Sequence, residues 1–170
     1  RLVFQSDRHG PSELYVINAD GTGERRLTWN NADDTHPAWS PDTHTIAVVR
    51  STGGVVAAIW LLSPDGATLR RAINEPETIV SESPTFTSDG LAIVHASNRG
   101  GAMNIWQLPL SGAKPIQLTT GAGPDASPSV ARDGAIAYGN TRWRDTLELH
   151  DLRHSSARTL LTHTPWLWGP

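Results

Sequence analysis

The chain alternates short apolar runs with clusters of turn-forming residues. The run Leu14–Ile17 is followed by Asp20 and Gly21, which favour the positive φ angles of a tight hairpin turn. No stretch combines apolar residues at helical spacing with helix-capping residues. The pattern therefore predicts short strands of about five residues joined by hairpins, and essentially no helix.

This pattern recurs along the chain at a nearly constant step. The apolar run is repeated at steps of 45, 46 and 42 residues, as Leu14–Ile17, Ile59–Leu62, Ile105–Leu108 and, in weaker form, Leu147–His150. A second marker keeps the same spacing, in Pro37–Asp42, Pro84–Gly90 and Pro128–Gly134. Repetition at 40–50 residues is typical of propellers and solenoids. The repeats are predicted at residues 1–44, 45–90, 91–134 and 135–170 of one continuous region.

Several of the predicted strands are apolar on both faces, and such strands need cover from both sides. Sheets that pack face to face around an axis supply that cover, whereas linear β-solenoids usually repeat at shorter steps. The predicted fold is therefore all-β: a β-propeller of four-stranded antiparallel blades, with about four blades in this chain. Trp39, Phe86, Trp60 and Trp106 recur at equivalent positions and are predicted to lie in the blade cores.

Composition excludes several classes of function. The 170 residues carry a net charge of −3, which favours neither a nucleic-acid partner nor an anionic membrane surface. No apolar run approaches the roughly 20 residues of a membrane-spanning helix. The absence of cysteine excludes disulfides and thiolate metal sites, and leaves the compartment and the oligomeric state open.

The first repeat contains several short motifs of a known family: Ser6-Asp7-Arg8, Glu13–Gly21, Arg26-Leu27-Thr28 and His36–Asp42. These motifs resemble the Pro-Asp β-propeller repeat of the TolB family, which is related to the propellers of prolyl oligopeptidase and dipeptidyl peptidase IV. Thr43 departs from the family pattern, because the usual residue after this Asp is Gly. The resemblance implies six blades, so the chain is expected to be a fragment of a longer propeller. In the alternative, residues 165–170 complete the first sheet and four blades close the ring.

The resemblance implies a non-catalytic module that binds a protein or peptide, in the periplasm, with the cytoplasm as the other possibility. One alternative is the substrate-gating propeller of a prolyl oligopeptidase-type serine peptidase whose catalytic domain lies outside this chain. Another is the sensor domain of a larger regulator. The chain lacks a Gly-x-Ser-x-Gly motif, so no catalytic residue is predicted, and no cofactor is predicted either.

Loops at one end of the predicted blades carry most of the loop charges, of both signs. This end is predicted to form a polar binding rim around the channel mouth; the alternative is that its charges pair with one another. The predicted rim residues are Arg8, His9, Asp33, Asp34, His36, Glu82, Arg99, Asp125, Arg142, Trp143 and Arg144.

Two groups within the rim suggest more specific roles. Trp143 lies between two arginines and is the best candidate for a surface contact, unless it folds onto its own blade. Asp33, Asp34 and His36 form the tightest carboxylate–imidazole group, which a hard cation would accept as ligands. The favoured interpretation of that group is that the aspartates bind backbone N–H groups at the end of the loop, so no metal site is predicted.

Overall fold

The computed structural model describes residues 1–53, 57–74, 76, 78–141, 145–151 and 156–163, with side chains described as far as residue 141. Across these residues the chain forms fifteen strands and no helix, as the sequence predicts. The strands are β1 Leu2–Ser6, β2 Glu13–Ile17, β3 Arg25–Arg26, β4 Asp33–Trp39, β5 Ile46–Ser51, β6 Ala57–Leu62, β7 Leu69–Arg71, β8 Ser81–Phe86, β9 Ala92–Gly100, β10 Ala102–Pro109, β11 Ile116–Gln117, β12 Asp125–Val130, β13 Ile136–Asn140, β14 Asp145–Asp151 and β15 Ser156–His163.

The strands form antiparallel meanders in chain order. Sheet A is β1-β2-β3, sheet B is β4-β5-β6-β7, sheet C is β8-β9-β10-β11, sheet D is β12-β13 and sheet E is β14-β15. The sheets are offset by one strand from the predicted repeats, because β4 and β8 each pair with the strand that follows them. The strand that closes one repeat is therefore the first strand of the next sheet.

Each of these first strands contains a bulge in front of a proline. His36, Ser83 and Ser127 precede Pro37, Pro84 and Pro128, and they adopt φ angles of 51°, 49° and 51°. The ladder register shifts at the same place in all three sheets. Proline has no N–H to give to the ladder, and the bulge absorbs it without ending the strand.

This bulge corrects one part of the sequence prediction. The sequence pattern predicts that Asp33, Asp34, Glu82 and Asp125 lie in loops. They lie in strands instead, because each first strand continues on the N-terminal side of its bulge. Arg99 likewise lies within β9 rather than in the following loop.

The sheets stack face to face with apolar seams between them. The seam between sheets A and B is built around Leu14, Val16, Ile46 and Val48, all at most 2% exposed. The seam between sheets B and C joins Ala47, Ile59 and Leu61 to Phe86, Ile93 and Leu108, and a smaller cluster joins sheet C to Val130 of sheet D.

The first strands also contact one another from sheet to sheet, β4 with β8 and β8 with β12. A shared line of first strands with sheets radiating from it is the arrangement of propeller blades. The predicted fold class is thus confirmed: the chain is an all-β partial propeller. Trp106 is 8% exposed, and Trp39 and Trp60 pack against the seam between sheets A and B, as predicted for core aromatics.

Candidate binding rim

Successive strands run in opposite directions, so the connections alternate between the two ends of the sheets. One end carries the connections β1–β2, β3–β4, β7–β8, β9–β10 and β11–β12, and we call it the rim. The opposite end, the turn face, carries the tight turns in which Ser40 bonds Asp42, Ser63 bonds Asp65 and Thr87 bonds Asp89. The rim is the end at which the sequence placed its candidate residues.

Asp34 is fully buried at the rim end of β4 and forms an ion pair inside sheet B. Arg50 of β5 donates two hydrogen bonds to its carboxylate, from Nε and Nη2, each 2.7 Å long. Asn30 donates a third, of 3.0 Å, and Asp34 itself is 0% exposed. Such a bidentate, fully satisfied pair fixes geometry strongly. Its carboxylate is therefore occupied within the blade.

The same cross-strand position is polar in three sheets. Asp34 pairs in register with Arg50, Ser81 with Ser97, and Asp125 with Asn140. The side chains of each pair bond one another, at 2.7 Å, 3.4 Å and 2.5 Å respectively. In these three sheets, the first strand is thus joined to the second at the rim end by a side-chain hydrogen bond at the same position.

Asp125 is 3% exposed and receives hydrogen bonds from three side chains. Desolvation acts to raise the pKa of this carboxyl, but the bonds from Thr119, Asn140 and Asn104 outweigh it, and the pKa lies below its ordinary value. The charged form is therefore the stable one, and it is held inside the blade.

Asp33, Asp34 and His36 do not converge on a common point. Asp33 Oδ1 accepts a 2.8 Å bond from the backbone N–H of Ser12, which is the favoured interpretation of the sequence for that residue. The ring of His36 bonds the Thr35 hydroxyl at 3.1 Å, and Asp34 is paired with Arg50. Within the described residues no three His, Asp or Glu side chains form a group that could hold a metal ion.

Arg8 and His9 lie against sheet A. The Arg8 guanidinium is 4.4 Å from the centroid of the Tyr15 ring and forms a 2.7 Å ion pair with Glu24. His9 Nδ1 is 3.0 Å from the Tyr15 hydroxyl. Arg8 therefore pairs with an acid outside the predicted rim set.

The remaining predicted rim residues divide into three cases. Glu82 is exposed on β8, and His36 is exposed at the bulge of β4. Arg99 lies 5.7 Å from the Trp106 ring centroid, and partial burial lowers the pKa of its guanidinium. Arg142, Trp143 and Arg144 lie outside the described residues, as do residues 165–170 of the ring-closure alternative.

The sequence reasoning missed a second polar network at the rim. Glu13 is 1% exposed and accepts 2.9 Å and 2.8 Å bonds from Arg26 and from the backbone of Asn30. Gln117 and Asn104 make the corresponding bond in sheet C, at 3.1 Å. Glu13 and Asn104 occupy equivalent positions in the repeat alignment. A polar residue repeated at a position next to the apolar run was therefore visible in the sequence. Trp29, beside Arg26, is 67% exposed.

Comparison with known proteins places the chain in a family. Residues 34–165 match the family model described as the TolB beta propeller domain. The chain is 29% identical over 143 residues to a TolB homologue of Chlorobium luteolum, covering 84% of this chain and 32% of the relative. It is 30% identical over 135 residues to that of Chlorobium chlorochromatii, covering 79% and 29%. The chain thus spans about a third of the length of these curated relatives.

Solved structures share the fold. A putative TolB from Agrobacterium tumefaciens aligns with a TM-score of 0.71 at 22% identity, covering 94% of this chain and 60% of that one. A puromycin-hydrolyzing peptidase of Mycobacterium tuberculosis aligns with a TM-score of 0.64 at 18% identity, covering 88% and 26%. These likenesses show that the same blade architecture occurs in proteins with different roles.

Proposed function

Because the chain belongs to the TolB β-propeller domain family, we propose that it is a non-catalytic module that docks a protein or peptide at its rim. The observation that carries the proposal is that some polar rim side chains are buried within the blades while others are exposed. Asp34 and Asp125 are buried and hydrogen-bonded, whereas His36 and Glu82 are exposed on neighbouring first strands. The hydrogen-bonded polar side chains hold the strands in place, so these exposed side chains are presented in a fixed arrangement, which reduces the ordering cost of binding.

The rim also offers a large apolar side chain. Trp29 is 67% exposed in the β3–β4 connection, and the Arg26 guanidinium lies 5.8 Å from its ring centroid. Arg26 is anchored by bonds to Glu13 and to the carbonyl of Thr28, at 2.9 Å and 2.7 Å. Trp and Arg are enriched among residues that dominate binding energy at protein interfaces. We include this pair in the proposed docking surface.

Site-specific photo-crosslinking in the whole protein tests the docking face. A photoreactive residue at Glu82, on the rim of sheet C, is compared with one at Ser88, exposed on the turn face of the same sheet. We expect a discrete protein adduct from position 82 and none from position 88. Equal adducts at both positions, or an adduct at 88 alone, would refute rim docking.

The peptidase alternative makes a different prediction for the same protein. A substrate-gating propeller requires a Gly-x-Ser-x-Gly-bearing domain in the same polypeptide, and that polypeptide would hydrolyse chromogenic peptides. We expect no hydrolysis.

Family membership also supports a periplasmic location as part of this proposal, and fractionation of cells expressing the whole protein tests it.

A further inference from the structure

The turn face carries four Asp-Gly dipeptides, and their backbones are alike. The aspartates are Asp20, Asp65, Asp89 and Asp133. The glycines that follow them have φ angles of 83°, 80°, 73° and 89°, and each donates its N–H to the carbonyl three residues before it. Each aspartate Oδ1 accepts a bond of 2.9 to 3.0 Å from the backbone N–H two residues further on. Differences among the four turns therefore lie in their side chains.

A hydroxyl group also holds the carboxylate in three of these turns. The pairs are Thr22 with Asp20 at 2.7 Å, Ser63 with Asp65 at 2.5 Å, and Thr87 with Asp89 at 2.6 Å. The fourth turn has Ala131 and Ala135 at the two positions that supply those hydroxyls. Among the described residues, the backbone N–H of Ala135 is therefore the one group that donates to the Asp133 carboxylate.

The Asp20 turn of sheet A matches the Asp133 turn in length. The N–H of its first residue bonds the carbonyl of its fifth, from Asn18 to Thr22 at 2.9 Å, and the corresponding bond from Ala131 to Ala135 is 2.8 Å long. The space that a Cβ would fill at the turn glycine is open in both turns. At the aspartate, the two turns thus differ by the Thr22 hydroxyl.

We propose that Asp133 is a site of spontaneous isomerisation to isoaspartate, and that the hydroxyl bonds suppress this reaction at the other three Asp-Gly dipeptides. The backbone nitrogen of Gly134 attacks Cγ of the neutral Asp133 carboxyl, and the N–H proton leaves with the carboxyl OH as water. The product is a succinimide ring. A water molecule then adds to the former backbone carbonyl and breaks its bond to the Gly134 nitrogen. The chain now continues through Cγ and carries a new α-carboxylate, with no change of oxidation state.

The hydroxyl opposes this reaction in two ways. Its hydrogen bond must break before the carboxyl can turn from its own loop towards the glycine nitrogen. It also favours the charged form, which does not lose water: the Ser63 and Thr87 hydroxyls hold the pKa of Asp65 and Asp89 below its ordinary value. Loss of one such bond corresponds to a rate increase of about fivefold.

Peptide mapping of the whole protein after long incubation in neutral buffer tests the proposal, with electron-transfer fragmentation to distinguish isoaspartate from aspartate of equal mass. We expect isoaspartate to accumulate at position 133 at least about fivefold faster than at positions 20, 65 and 89. Ala135→Thr supplies a hydroxyl at the position of Thr22 and should slow the reaction about fivefold. Ala135→Val has the shape of threonine without the hydroxyl and should keep the native rate.

Incubation in guanidinium chloride separates the effect of the fold from that of the local sequence. Unfolding removes the turns, so we expect similar rates at all four Asp-Gly dipeptides. Equal rates in the folded protein, a preference for position 133 that persists in the denaturant, or equal rates in Ala135→Thr and Ala135→Val would each overturn the proposal. None of these measurements requires a partner at the rim, so the inference stands or falls separately from the proposed function.

Discussion

The buried pair of Asp34 and Arg50 gives the sharpest test of how the first two strands of a blade are held together at the rim. Replacing Arg50 by Met removes both 2.7 Å bonds and leaves a carboxylate that is 0% exposed, with Asn30 as its remaining side-chain donor. Removal of one partner of a buried pair costs about 3–5 kcal/mol. We therefore expect the free energy of unfolding of Arg50→Met to fall by about 4 kcal/mol.

Sheet D supplies a matched control for this change. Its equivalent pair, Asp125 and Asn140, joins a carboxylate to a neutral amide at 2.5 Å. Arg50→Asn places the same amide donor at the equivalent position of sheet B, so the Asp34 carboxylate keeps a hydrogen bond across the two strands. We expect the free energy of unfolding of this variant to be higher than that of Arg50→Met by about 2 kcal/mol or more, because a buried donor is partly restored.

Urea unfolding followed by circular dichroism measures both variants, provided that the slope of the transition stays unchanged. Arg8→Met serves as the exposed control: its pair with Glu24 is about 40% exposed on both sides, and such pairs contribute about 0–1 kcal/mol. A loss below about 1 kcal/mol in Arg50→Met, or equal losses in Arg50→Met and Arg50→Asn, would refute the reasoning.

Three further predictions concern the turns. Thr43 has a φ of 61°, and the equivalent positions of two other repeats are Gly90 and Gly134. In urea unfolding we expect Thr43→Gly to change the stability by zero to about 1 kcal/mol in the stabilising direction, and Gly134→Thr to destabilise by about 1 kcal/mol. A Thr43→Gly variant that is destabilised would contradict this. A Cβ at Gly66 would lie 2.7 Å from the carbonyl oxygen of Leu27 in the neighbouring sheet, so Gly66→Ala should lower the melting temperature more than Gly112→Ala, whose Cβ meets open space; equal shifts would contradict close packing there. The hydroxyl of Ser40 holds the pKa of Asp42 below its ordinary value; NMR titration of Ser40→Ala should show that pKa rising, with the turn's contribution to stability lost at a higher pH as the solution is acidified, and an unchanged pKa would contradict the assignment.

The blade architecture could be predicted because the same pattern occurs several times. Repetition of the apolar run and of the Pro-Asp marker predicts the strands and their stacking, since each face must find cover. The ends of the first strands could not be predicted in this way. Proline normally ends a strand, but the ladder register continues on both sides of the bulge, where His36 and its counterparts adopt a positive φ.

The sequence places Asp34 and Asp125 at one end of the blades as candidate binding residues, and that role stays a prediction. Their burial could not be predicted, because it depends on partners 16 and 15 residues away, across a register that the bulge shifts. His95, in contrast, could be recognised as unusual from the sequence alone, since the equivalent position in sheet B is the apolar Val48. A polar residue at an apolar position of a repeat predicts either a satisfied network or a functional site.

Hydrogen exchange of the whole protein, alone and bound to the partner trapped through position 82, tests rim docking most directly. The account predicts new protection in the rim segments 27–35, 72–82 and 118–126, with unchanged exchange in the turn-face segments 40–45 and 87–91. Protection confined to the turn-face segments would contradict it.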